Sequence, residues 1–316
     1  MDATAVKALH YETLVRACGG AESKAGEAFS LASSRIDVTD PLPLHIKEYA
    51  SFMATEESKI SEAYYHCRPF FEEMGDKVLV IDENSPFWPS QVNTFAYAPR
   101  FLYVQGNVSL LKAPSVSVIG TRSPSLEGKK LALQTSHALA KAEYVVASGL
   151  ALGIDGVAHK GALTSGAPTM AVIGTPLCQC YPKEHTELQA EIAKSGVVVS
   201  RFAPSTTTQK WHFLLRNRLM SALSLASVVV EDRDGGGAVR QASFALEQKK
   251  YLFIYQSSIE NRSILWPRKF AGQSRVFVIR KSEDLPRILK KAMETKRTVG
   301  RPKDPAIQLD LFALEE

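Results

Sequence analysis

The chain has 316 residues, 45% of them hydrophobic, and a formal net charge of +5. That length suits a large domain with an accessory, and so mild a charge implies no partner by itself, which leaves the placement of cations to carry the information. Cys178 and Cys180 lack a second pair at zinc-ligand spacing, and Cys18 and Cys67 stand apart; this excludes a zinc module, and with no leader or long apolar run the chain is expected in the cytoplasm without a membrane span.

The first part is expected to be a helical domain over residues 1–76. Val6, Leu9, Leu14 and Val15 recur at helical spacing up to Gly19 and Gly20, and Ala25 to Ala32 suggests a second helix. A third helical segment is expected over 44–74, with Ile46, Tyr49, Phe52, Ile60 and Tyr64 as its apolar positions. It carries no cluster of metal ligands or catalytic groups, so packing or interaction is its expected role.

From Lys77 the texture changes. Strands are expected at 78–81, 101–104, 116–119, 144–147, 169–173, 197–200, 228–231, 251–255 and 276–279. Helices are expected at about 126–142, 155–165, 184–194, 211–224, 238–248 and 283–294. Alternation of this kind predicts an α/β fold with a doubly wound, mostly parallel sheet over 77–294. Residues 295–316 lose periodicity, carry basic residues around Gly300 and Pro302, and read as a flexible tail.

Ligands of such sheets lie beyond the carboxyl ends of the strands. There the sequence sets Gly120, Thr121 and Arg122; then Ser148, Gly149, Gly153, Asp155 and His159; then Gly174, followed by Tyr181-Pro182-Lys183; then Glu231, Asp232, Gly235 to Gly237 and Arg240. Small residues let backbone amides approach a ligand, and a helix starting near Leu126 offers unpaired N–H groups to a phosphate. Arg122 beside them is placed to clamp that phosphate, with Lys183 and the pair Arg216 and Arg218, which flank Asn217, as further cations. Asp155 and His159 share a helix face four residues apart, and Glu231 is placed to orient a cation; a capping role for Asp155 and a structural one for Glu231 stand beside these readings. Phe202, Trp211 and Phe213 lie near the rim, as base-stacking or core residues. No metal site, cofactor motif, Walker-type loop or Ser-His-Asp order is expected.

These motifs resemble the DprA/Smf family of DNA-processing proteins. The resemblance runs through Gly120-Thr121-Arg122, Ser148 to Asp155 with His159, Gly174, Tyr181-Pro182, Arg216-Asn217-Arg218 and Val228 to Glu231. It implies an extended Rossmann-like domain that binds single-stranded DNA without catalysis and works with the recombinase RecA as a homodimer. It also implies that Arg122 and the segment Arg216 to Arg218 line the DNA-phosphate pocket. Arg201 stands where the family usually has Glu after Ser200, Gln256-Ser257 stands where it has Pro-Gly, and the winged-helix domain of many members is not expected here. In the related phosphoribohydrolases a glutamate serves glycosidic chemistry; Ala242 occupies that position here, which leaves a nucleotide or nucleotide-messenger sensor as the alternative reading. In the tail, Gln308, Leu309, Asp310, Leu311 and Phe312 resemble the short peptide by which bacterial DNA-repair proteins dock on the sliding clamp, with Leu311 and Phe312 for an apolar pocket and the Gln308 amide for hydrogen bonds.

Overall fold

A computed structural model describes residues 1–95 and 97–298. Four helices lead: α1 (Ala3–Ala17), α2 (Glu22–Ser33), α3 (Ile46–Met53) and α4 (Glu57–Met74). The single segment expected over 44–74 is thus two helices. Ala54 breaks it by closing α3 in the left-handed region at φ 49°. Ala8, Leu9, Leu14, Phe29, Tyr49, Ile60 and Phe71 form the helical core. That core also takes in Val80, Phe101 and Tyr103, so the helices sit against the edge of the sheet rather than apart from it.

The sheet has nine strands: β1 (Leu79–Ile81), β2 (Leu102–Gly106), β3 (Ser115–Ile119), β4 (Val145–Ser148), β5 (Thr169–Ile173), β6 (Val197–Ser200), β7 (Ala226–Val229), β8 (Tyr251–Tyr255) and β9 (Val276–Ile279). Their spatial order is β1-β2-β6-β5-β4-β3-β7-β8-β9. β1 and β2 pair antiparallel, as do β2 and β6, and every other pairing is parallel. The chain therefore walks outward from β3 to β6, then returns to the other side of β3 with β7. Strand order reverses there, at the point where open α/β sheets leave a crevice.

Successive residues of a strand face opposite layers. Val116, Val118, Val146 and Phe253 bury against one layer, in which α5 (Leu126–Lys141), α6 (Ile154–Thr164) and α12 (Asp284–Thr298) place Leu139, Ala158 and Leu289. α7 (Thr186–Ser195) covers Ala171 and Val198 on the same side with Leu188 and Ile192. Ile119, Ala147, Val172 and Val199 face the opposite layer. There α8 (His212–Leu223), α9 (Gly237–Glu247) and α11 (Trp266–Phe270) supply Leu219, Met220, Ala242 and Trp266; a short α10 (Gln256–Glu260) precedes α11. The doubly wound sheet read from the sequence is the observed architecture, down to β5, β6, β8 and β9, whose expected bounds are the observed ones. Among the described residues no helix is long and apolar enough to cross a membrane.

Gly106 closes β2 at φ +98°, and a Cβ there would stand 2.5 Å from the Gly196 carbonyl oxygen and 2.6 Å from that of Ala193. Both backbone atoms are fixed by the β2–β6 pairing and by the end of α7. Gly106→Ala is expected to lower the unfolding free energy by at least about 2 kcal/mol, read from urea denaturation. An unchanged midpoint would contradict the packing described for this edge.

Candidate functional site

At the reversal point the loops after β3 and β7 face each other. Thr121 N–H donates to the Glu231 carbonyl at 2.7 Å, and Ile154 N–H donates to the Thr121 carbonyl at 3.2 Å, which ties the loops after β3, β4 and β7 together. The Glu231 carboxylate then accepts from Ser125 N–H at 3.2 Å and from Ser125 Oγ–H at 2.7 Å, while Ser125 Oγ accepts from Gly128 N–H at 2.9 Å. The start of α5 is thus capped by a serine and a carboxylate. Of the two roles open to Glu231 the structural one is observed, since it holds Ser125 rather than a cation. The expectation that this helix start meets a ligand phosphate is corrected, because the anion there is the protein's own.

The pattern repeats around the rim. Asp232 accepts from Ala238 N–H at 2.9 Å and Val239 N–H at 3.2 Å, closing the start of α9, and from Arg233 N–H at 2.9 Å. Asp155 accepts from Gly149 N–H at 3.2 Å and Ala151 N–H at 3.3 Å, holding the loop before α6. Burial pushes the Asp155 carboxyl up, and the neighbouring Arg216 guanidinium pulls it back down.

Arg216 is buried under this loop. Its Nη1 donates to the Gly149 carbonyl and, at 3.0 Å, to the Val172 carbonyl, while Nε has no partner among the described residues. Gly149 is small because the guanidinium fills the space of its missing side chain. Burial lowers the Arg216 pKa, and Asp155 opposes that shift.

Above it opens a crevice of about 910 Å³, lined by Gly120, Thr121, Arg122 and Ser123, by Lys210, Trp211, Phe213 and Leu214, and by Asp232, Arg233, Gly235 to Ala238, Arg240 and Gln241. Four exposed cations stand on its wall: Arg122, Lys210, Arg233 and Arg240. Among the described residues none of them makes a side-chain hydrogen bond or an ion pair. Trp211 lines the crevice and is 50% exposed. A smaller cleft of about 40 Å³ adjoins it, sharing Arg122, Phe213 and Arg216 and adding Tyr181, which is 52% exposed. Tyr181 and Phe213 lie with ring centroids 5.5 Å apart. Unneutralised cations interleaved with exposed rings suit a chain of phosphates and flat bases.

The structure brings Gly120, Thr121, Arg122, Asp155, Arg216 and Asn217 to the crevice and Gly149 to the adjoining cleft. Others go elsewhere. Ser148 is buried and donates to the Val118 carbonyl at 2.7 Å. Gly153, at φ +79°, lets the loop pass against Thr121 and begins α6. Gly174 makes room for the Phe213 ring rather than for a ligand. Lys183 is exposed in a short turn, Lys183–His185, and lines neither cavity. Arg218 lies 4.1 Å over the Phe244 ring and 3.4 Å from Glu247, facing α9. His159 is fully buried with Nδ1 2.8 Å from Thr169 Oγ1, and burial drives it down to about 3, so it is no acid–base partner for Asp155. Phe202 is core, stacked on His212 at 4.1 Å. Lys210 and Arg233 were not legible as site residues; Arg233 directly follows the Glu231-Asp232 pair just beyond β7, which was the available signal. The peptide Gln308 to Phe312 lies outside the described residues.

Fold and crevice together define a doubly wound α/β protein with a cationic, aromatic cleft at its topological switch point. The chain belongs to the DNA recombination-mediator protein A family, whose model matches residues 78–273. It is 32% identical over 191 residues to the DNA processing protein DprA of Bacillus subtilis, covering 60% of this chain and 63% of that one. It is 37% identical over 172 residues to DprA of Streptococcus pneumoniae, covering 54% and 61%. The chain thus spans about three fifths of the length of these relatives. The solved structure of the S. pneumoniae protein superposes with a TM-score of 0.72 at 26% identity, over 87% of this chain and 96% of that one. DprA of Helicobacter pylori, whose structure was described for its single-stranded DNA binding mode, superposes at 0.61 with 27% identity, over 68% and 97%.

Arg216→Met removes the donor from two buried carbonyls and leaves Asp155 without its counter-charge. Loss of about 3 kcal/mol of stability is expected, measured by chemical denaturation. A variant as stable as the parent would show that Arg216 is not the strut described.

Proposed function

We propose that this chain binds single-stranded DNA along the crevice, as a non-catalytic DNA-processing protein acting in recombination or repair with RecA. Support for DNA comes from family membership and from the H. pylori relative's binding mode. The observation that carries the reading is the set of four exposed, unneutralised cations around a half-exposed Trp211. Phosphates would follow Arg122, Lys210, Arg233 and Arg240 in contacts blind to sequence, and bases would stack on Trp211 and Tyr181. Work as a homodimer, and tethering to the sliding clamp through Gln308, Leu311 and Phe312, belong to the same proposal.

A free nucleotide is the weaker occupant. Its diphosphate would need the helix-start amides, and Glu231 and Asp232 already hold those of α5 and α9.

Arg122→Ala is expected to weaken binding of an oligothymidylate at least about tenfold, or about 1.4 kcal/mol, at moderate salt. Unchanged affinity by fluorescence anisotropy would remove Arg122 from the site. For the tether, clamp immobilised on beads should retain the parent chain and lose the Gln308→Ala, Leu311→Ala double variant. Equal recovery of both would rule the peptide out.

A further inference from the structure

A second cavity, of about 560 Å³, lies where α1 meets the sheet edge and the segment after β6. Its size is that of a small-molecule site. Trp211 lines both this cavity and the crevice, so the two share a wall. Tyr11 and Phe101, 5.8 Å apart, give it an aromatic side.

Its polar equipment is unusual for a space that merely separates two layers. Glu12 reaches in from α1. One carboxylate oxygen accepts from Ser205 Oγ–H at 3.3 Å and from Thr206 Oγ1–H at 3.1 Å, and the other accepts no hydrogen bond from the described residues. Burial pushes this carboxyl up to about 7, against the pull of the two hydroxyls. An ionised carboxylate so placed is short of donors. Arg201 lines the same cavity. Nη1 donates to the Tyr97 carbonyl at 2.6 Å and Nη2 to Glu22 at 2.8 Å, while its buried Nε has no partner among the described residues.

We propose that this cavity receives a single guanine turned out of a strand lying in the crevice, its Watson–Crick edge on Glu12. The inference rests on the single-stranded DNA reading above. Guanine sets two donors, N1–H and the N2 amino group, side by side toward one carboxylate. Thymine offers a lone N–H between two acceptors, and adenine and cytosine a single amino group beside an acceptor. Reading an extruded base by its Watson–Crick edge between aromatic walls is an established mode of recognition. Trp211 marks the place where the backbone would pass while the base turns inward.

The test uses the full chain at pH 8 and fluorescence anisotropy with two labelled strands. One is an oligothymidylate of about twenty nucleotides; the other carries one dG at its centre. The dG strand is expected to bind about fivefold tighter. Glu12→Gln should bring that ratio below about twofold, whereas Arg122→Ala weakens both strands and leaves the ratio. Replacing dG by inosine, which lacks the N2 amino group, should also reduce the preference, and it needs no protein variant. Equal binding of the two strands by the parent chain overturns the guanine pocket alone, as does a preference that survives Glu12→Gln or inosine. Failure to bind either strand overturns both this inference and the DNA reading beneath it.

Discussion

Three carboxylates decide what the crevice can hold. Glu231 sits at the start of α5, Asp232 at the start of α9, and Asp155 under the amides of the loop before α6. In many doubly wound proteins such amides meet a ligand phosphate. Here they are spent internally, and they fix the loops after β3, β4 and β7 against one another. The task of meeting an external anion would then pass to side chains, and Arg122, Lys210, Arg233 and Arg240 stand around the opening with no ion pair to a described residue. Guanidinium and ammonium groups on flexible stems suit a continuous polyanion better than a single diphosphate, because successive phosphates can shift register along them.

Arg216 links this surface to the core. Its buried guanidinium bonds the carbonyls of Gly149 and Val172, at the ends of β4 and β5, and balances Asp155 below the crevice floor. Burial lowers the Arg216 pKa and the like charge of Arg122 adds to that shift, so a phosphate arriving at Arg122 would relieve repulsion between the two guanidinium groups. The helical domain adds to the same side of the molecule. Its core runs into β1 and β2, and its α1 carries Glu12 into the cavity that shares Trp211 with the crevice.

Much of this was legible in the chain. Short β-branched runs between helical periods give the strands, and their alternation gives the doubly wound sheet. Arg122 and Gly120 could be placed because they directly follow a strand. The convergence of strand ends was less legible, because it depends on topology. The loops after β3 and β7 are over a hundred residues apart in sequence yet adjacent in space, while the loop after β5, with Gly174 and Lys183, falls outside the crevice. Arg216 and Arg218 diverge for a local reason: two residues on a helix point about 200° apart, so one turns under the crevice and the other onto Phe244. Glu231 and Asp232 were visible as charges, but that they cap α5 and α9 requires knowing which helix starts lie beside β7.

The central claim is that external phosphates are met by unneutralised side chains and not by helix amides. The salt dependence of single-strand binding tests it most directly. If Arg122, Lys210, Arg233 and Arg240 each neutralise one phosphate, a plot of log K against log salt concentration should fall with a slope of about −3. Replacing any one of the four by alanine should make that slope shallower by about 0.7. A slope near zero in the parent chain, or one that none of the four replacements alters, would contradict the account.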